Sequence, residues 1–177
     1  LRSEEIDLAF YCNHMAVHLV DEDDRFTIYA PVIMNSEVLA YDQNLEDIRH
    51  LGIGQKRNHI KTLALESYPQ IQEVSEMTGR ALPYSLIDGQ VDAVALDVTK
   101  AVLVPDFTFA PLSKNDFISY VLVVRKDLIG TPAFESFLSC YNQAAEQLNQ
   151  TSTLIDKMGM DEAFWEMADL QFLPLDQ

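Results

Sequence analysis

The stretch from Val91 to Val98, VDAVALDV, limits the possible folds of this chain more than any other. It is apolar except at Asp92 and Asp97, and it follows Gly89 with almost no linker. A strand-length apolar run of this kind marks a strand buried on both faces, and such strands belong to parallel sheets covered by helices. The segments before it fit that reading. LGIGQ (51–55) reads as a strand, and 58–68 reads as a helix with Ile60, Leu63, Ala64 and Leu65 apolar. Pro69 ends that helix, IQEVSEM (71–77) is the next strand, and 80–88 is a helix stopped by Gly89. Strand, helix, strand, helix, strand is a βαβαβ unit with a parallel sheet, so the fold class is α/β.

The flanking segments add further elements. IDLAFY (6–11) reads as a short buried strand, followed by a helix-length block carrying Met15, Val17, Leu19 and Val20 and closed by the acidic run Asp21 to Asp24. FTIYAPVIMNSEVLAY (26–41) reads as two strands, broken by Pro31 and by Asn35-Ser36. Asn44 is placed to cap a short polar helix. DFTFAPLSKND (106–116) reads as a loose connection, and FISYVLVVRKD (117–127) as a strong strand. Thr131-Pro132 opens a helix to about Asn149, with Phe134, Phe137, Leu138, Tyr141, Ala145 and Leu148 at three- and four-residue spacing. Two shorter helices follow, one ending at Gly159 and one starting near Asp161, and the tail QFLPLDQ reads as extended.

Composition excludes several functions. Twelve Lys and Arg against 28 Asp and Glu leave a formal net charge of -16, which argues against nucleic acid and against anionic lipid as partners. No apolar run reaches the ~18 residues of a membrane helix. The chain opens LRSEEIDLAF, without Met and without a signal peptide, which predicts a processed or truncated product. Cys12 and Cys140 are expected to be two buried thiols rather than a disulfide.

The order of these segments resembles a known family. A short DLAF strand, a bent β connection, LGIGQ with its helix, ALPYSLIDGQVDAVALDV, then ISYVLVVRKD and an apolar helix are similar to type II periplasmic binding proteins. Within that family they look most like the substrate-binding components of ABC importers of the nitrate, sulfonate and thiamine-precursor type. The most specific block is Leu82 to Asp97, in which D-G-Q-V-D-A-V turns a helix directly into a buried strand. The resemblance implies a two-lobed fold with mixed sheets flanked by helices. Residues 1–43 and 115–177 would form lobe one and 44–114 lobe two. Family members begin with a strand, a helix and a second strand, whereas this chain begins at the third strand, so lobe one would be incomplete and its open edge would invite a homodimer. The resemblance further implies a small-molecule ligand in a cleft between the lobes, an ABC permease as partner, an extracytoplasmic location, no cofactor and no enzymatic turnover.

Candidate ligand contacts follow from where strands give way to helices, because ligands in such folds sit at the carboxyl ends of parallel strands facing helix N-termini. Gln55, Lys56, Arg57 and Asn58 follow LGIGQ and would hold an anionic group, or else form a solvated loop with Asn58 as helix cap. Tyr11, Cys12 and Asn13 occupy the equivalent place after IDLAF, where Asn13 could equally be a plain cap. Asn35 and Ser36 lie at the bend, as contacts or as turn residues. Asp97, followed by Thr99, would suit an amine or a ring nitrogen, or would cap the next helix. Tyr84 would stack on a ring or face the core.

His14 and His18 have the i, i+4 spacing of metal ligands, but no carboxylate motif accompanies them, and Asp21 to Asp24 lacks the glycine and closing glutamate of a calcium loop. No G-x-S-x-G, P-loop, G-x-G-x-x-G or Cys-rich metal spacing is present. Two alternatives stay open. One is an enzyme on the same fold, of the thiamine-pyrimidine or menaquinone type, drawing on Cys12, His14 or His59. The other is the effector-sensing domain of a transcription regulator.

Overall fold

A computed structural model describes residues 6–176. In chain order its elements are β1 (Leu8–Cys12), α1 (Asn13–Glu22), β2 (Phe26–Met34), β3 (Glu37–Tyr41), β4 (His50–Gly54), α2 (Asn58–Ser67), β5 (Glu73–Met77) and α3 (Ala81–Ile87). Then come β6 (Ala93–Asp97), α4 (Val98–Ala101), β7 (Thr108–Pro111), β8 (Ile118–Arg125), α5 (Pro132–Leu148), α6 (Thr151–Met158), α7 (Glu162–Ala168) and β9 (Gln171–Phe172). They form two compact units. The first holds the described residues up to Met34, Phe117–Leu154 and the chain from Leu170 on; the second holds Asn35–Asp116 and Ile155–Asp169. The Leu1 to Glu5 part of the sequence-based first lobe, and Gln177 of the tail, lie outside the described residues.

The first unit is built on a four-stranded antiparallel sheet ordered β1-β8-β2-β9. The apolar run of β8 explains its central place. Leu122 and Val124 point to one face, where they join Val32, Phe134 and Leu138 under α5; Val121 and Val123 point to the other, with Ala16 and Phe26 under α1. A strand covered on both faces must be apolar at successive positions. Each such side chain stabilises the unit by roughly 1.5–3 kcal/mol on burial. Thr131 caps α5 by accepting from the Phe134 N–H at 3.3 Å, with Pro132 in the first turn.

Several local expectations change in this unit. β1 is not a buried strand: among the described residues it is the edge of the sheet, paired with β8 alone, and Phe10 is 47% exposed. Met15 and Val17 are exposed on α1, because the face that meets the sheet carries Ala16, Leu19 and Val20. Pro31 does not break β2; it stays in the strand opposite Val121, flanked by register shifts that absorb a residue without an N–H. The two cysteines are free thiols but not buried ones, Cys12 being half-buried in the edge strand and Cys140 exposed on α5. Asn13 is the first residue of α1, exposed, and Cys12 before it supplies no side-chain cap.

The second unit is a five-stranded mixed sheet ordered β5-β4-β6-β3-β7. β4 runs parallel to both β5 and β6, as the βαβαβ pattern requires, while β3 is antiparallel to β6 and β7. The residues read as a loose connection thus supply a strand, β7. Val94 and Leu96 of β6 pack with Leu82 and Leu86 of α3 and with Ala40 of β3. Gly52 lets α3 come close, since a Cβ there would lie 3.1 Å from Val94 and 3.4 Å from Leu82. Gly89 ends α3 at φ 66°, the left-handed region that favours glycine. At the far end of the strands the Asp92 carboxylate accepts from the N–H groups of Arg49 and His50, both at 2.9 Å, and from the Gln43 amide at 3.0 Å.

The boundary between the units differs from 43/44 because β3 hydrogen-bonds to β6 and β7, which brings residues from Asn35 into the second unit. The chain bends at Asn35, whose φ is 59°. Residues 155–169 also join the second unit, because α7 packs on β7, with the Phe109 and Phe164 rings edge to face at 5.1 Å.

Candidate functional site

Within the second unit the parallel strands β4, β5 and β6 all end at one edge of the sheet, and β3 begins there. A cavity of about 330 Å³ lies at that edge. In chain order, β5 lies to one side of β4 and β6 to the other, so the sheet reverses its winding at the cavity. Such switch points open a crevice outside the strand ends, because the helices leave on opposite faces.

Four charged residues line the cavity: Glu37, Arg57, Asp97 and Lys100. Glu37 and Asp97 are register partners across β3 and β6. The Glu37 side chain is only 4% exposed, and its carboxylate is fully engaged. Arg57 Nη1 donates to Oε1 at 2.8 Å, and Ser36 Oγ donates to Oε2 at 2.9 Å. Asp97 is the N-cap of α4, accepting from the Thr99 N–H at 2.9 Å and from the Thr99 hydroxyl.

Lys100 is placed differently. It makes no ion pair among the described residues. Its ammonium nitrogen lies 2.9 Å from the point where a Cβ on Gly79 would sit, so the lysine lies over the turn after β5. The ten-residue helix α2 also begins here, with Arg57 as N-cap and no side chain capping it. Arg57 carbonyl oxygen accepts from the Ile60 and Lys61 amides at 3.0 and 3.2 Å. The first amides of α2, the positive end of its dipole, and Lys100 together favour an anionic group at this edge.

The residues picked from the sequence divide between the two units. Gln55, Arg57 and Asp97 line the cavity. Asp97 is also the cap of α4, which is the second of the two readings given for it from the sequence. Asn58 opens α2 and is exposed, and its carbonyl accepts from Thr62. Lys56 sits in the turn before it at φ 60°, its N–H donating to the Glu76 carboxylate at 3.0 Å. Ser36 is not in the cavity lining but donates to Glu37, which is, and buried Asn35 ties the bend by donating to Asp116 and to the Asp169 carbonyl. Tyr84 is 68% exposed on α3, neither core-facing nor in the cavity lining. Tyr11, Cys12 and Asn13 belong to the first unit, where Tyr11 packs beside Val121 and Val123.

The sequence reading missed Glu37, Thr78, Gly79 and Lys100, all in the cavity lining. Glu37 stands next to Ser36 and Lys100 three residues after Asp97, so sequence neighbourhood alone pointed towards two of them. His14 and His18 stack edge to face at 4.7 Å on the exposed face of α1, and no group of three metal-ligating side chains occurs among the described residues.

The fold is that of the type II periplasmic binding proteins, α/β with sheets flanked by helices. No family model matches the chain, and no curated protein matches it. The solved structures do. An ABC transporter structure from Parabacteroides distasonis aligns with a TM-score of 0.67 at 14% identity, covering 96% of this chain and 69% of that one. The periplasmic aliphatic sulphonate binding protein SsuA of Escherichia coli aligns at 0.62 and 15% identity, covering 97% and 67%. The ligand binding component of an ABC-type import system of Staphylococcus aureus, solved with zinc bound, aligns at 0.61 and 13%, covering 96% and 68%. At these identities the likeness shows the fold.

Proposed function

We propose that this chain is the solute-binding component of an ABC importer, and that its second-unit cavity captures the anionic group of a small polar solute. The observation that carries this is Lys100, a cation without a counter-ion among the described residues, in a chain of net charge -16. It stands at the carboxyl edge of three parallel strands, beside an uncapped helix start. The four charged side chains hold a ligand by fixed donors and acceptors, and the function is capture and release without turnover. A solute-binding role is also what the fold neighbours support. Delivery to a membrane permease and an extracytoplasmic location complete the reading. No aromatic side chain is among the described residues lining the cavity, which favours a polar solute over a heteroaromatic one.

The test is calorimetric titration of the purified chain with small sulfonates, carboxylates and phosphates. Saturable binding by one of these classes, weakened at least tenfold in Lys100→Gln, is the expected result. Absence of binding across all three classes, or conversion of a bound compound into product, would overturn it.

A further inference from the structure

A second hollow, of about 420 Å³, lies within the second unit between residues 105–109 and residues 160–167. It is separate from the cavity at the strand ends. Thr108 at the start of β7 pairs with Tyr41 at the end of β3, and Tyr41 pairs with Ala93 at the start of β6. The hollow therefore lies towards the end of the sheet away from Asp97, and the solute-binding reading makes no use of it. Its wall is apolar. Phe107 and Phe109 back onto the core that holds Leu82 and Leu86, and Phe164 is buried and meets Phe109 edge to face at 5.1 Å. Met160 and Met167 add two adaptable thioether side chains. Met160 has φ 62°, directly after Gly159 at φ 79°. Few residues with a side chain adopt the left-handed region, and here the indole N–H of Trp165 holds the turn by donating to the Gly159 carbonyl at 2.9 Å. The strained turn brings Met160 into the wall.

The mouth of the hollow carries charge of one sign. Asp161 is the one charged residue among those lining it, and it is exposed. It caps α7 by accepting from the Phe164 N–H at 2.9 Å and forms no ion pair among the described residues. The same two stretches carry Asp106, Glu162 and Glu166, all exposed, and contain no Lys, Arg or His.

We propose that this hollow is a second binding site, for an apolar amine: an aryl- or alkylammonium with its hydrocarbon body against the phenylalanines and methionines and its ammonium at the mouth beside Asp161. The apolar wall takes the hydrocarbon out of water, and phenylalanine rings attract a cation over their faces. A carboxylate at the exposed rim pairs with the ammonium while leaving it hydrated, as long amphipathic side chains do when only their stems are buried. The acidic surroundings repel a fatty acid or an anionic lipid. The volume lies within the ~300–1,000 Å³ of small-molecule pockets.

Trp165 is the only tryptophan of the chain, and its ring stands 5.0 Å from that of Phe164, so its fluorescence reports on the hollow. The experiment titrates the full chain at neutral pH with 2-phenylethylamine, hexylamine, 2-phenylethanol and 3-phenylpropanoate. A saturable change is expected with at least one amine, and 2-phenylethylamine should bind five or more times more tightly than the alcohol and the acid. Ala163→Leu, which fills the hollow from an exposed position, should abolish the response, and Lys100→Gln should leave it unchanged. In Asp161→Asn, which keeps an oxygen to cap α7, the preference for the amine over the alcohol should fall below threefold. No saturable response to either amine would overturn the site, as would a response that survives Ala163→Leu or is lost in Lys100→Gln. Equal binding of the alcohol or the acid would overturn the choice of an amine, and an unchanged preference in Asp161→Asn would overturn the role of Asp161. None of these outcomes touches the anion titration of the strand-end cavity, which stands or fails separately.

Discussion

Glu37 and Asp97 face each other across the β3–β6 pair, and Arg57, arriving from the end of β4, bonds Glu37 at 2.8 Å. The Glu37 carboxylate is neutralised by a cation from the turn between β4 and α2. That arrangement makes the Glu37–Arg57 pair a structural requirement of the cavity wall.

Removing only the cation should therefore be costly. Arg57→Ala leaves the buried Glu37 carboxylate without this cation, with an expected loss of about 3 kcal/mol. Changing both residues to glutamine removes the charges together and should cost much less. Urea unfolding of the two variants measures the difference. Equal losses would show that the pair contributes through packing rather than charge.

Asp92 gives the second unit an acid-sensitive clamp. Burial alone would raise its pKa, but the amides of Arg49 and His50 and the Gln43 side chain outweigh it and hold the carboxyl below the usual range. A folded pKa below the unfolded value of about 3.9 means stability that is present above that value. It is lost as pH falls through the lowered folded pKa. Asp92→Asn should melt at a lower temperature than the parent at pH 7, and the gap should close in acid. A gap constant from pH 7 down to pH 2 would count against the clamp.

Gly52 is tested by its neighbours. An alanine Cβ there would stand 3.1 Å from Val94 Cγ1 and 3.2 Å from Met77 Cε, so Gly52→Ala should destabilise by about 1–3 kcal/mol through overpacking between β4 and α3. Gly54→Ala meets nothing nearer than 3.6 Å and should stay within about 0.5 kcal/mol of the parent. Denaturant midpoints of the two variants decide the matter.

Much of both units was legible because the signals are local. The βαβαβ order, the stop at Gly89 and the buried run of β6 in the second unit, and the cap at Thr131 and the buried run of β8 in the first, each depend on a few adjacent residues. Residues 108–111 were not legible as a strand, because TFAP joins the sheet through pairing with β3, more than sixty positions earlier. The edge position of β1 was hidden for the same reason: its apolar sequence reports strand propensity but not how many neighbours it has.

The cavity shows the same division. Gln55, Arg57 and Asp97 could be picked out because strand ends preceding helices are recognisable, and the excess of acid over base was evident from composition. The sequence by itself determined the α/β class, the order of the elements and the strand ends where a site would lie, since these follow from short-range periodicity and turn chemistry. Tertiary structure alone decided that Glu37 faces Asp97, that Arg57 is bound to Glu37, and that Lys100 crosses Gly79 into the cavity. Those relationships depend on strand register and crossover path, and register is set by the packing of the whole sheet rather than by any one segment.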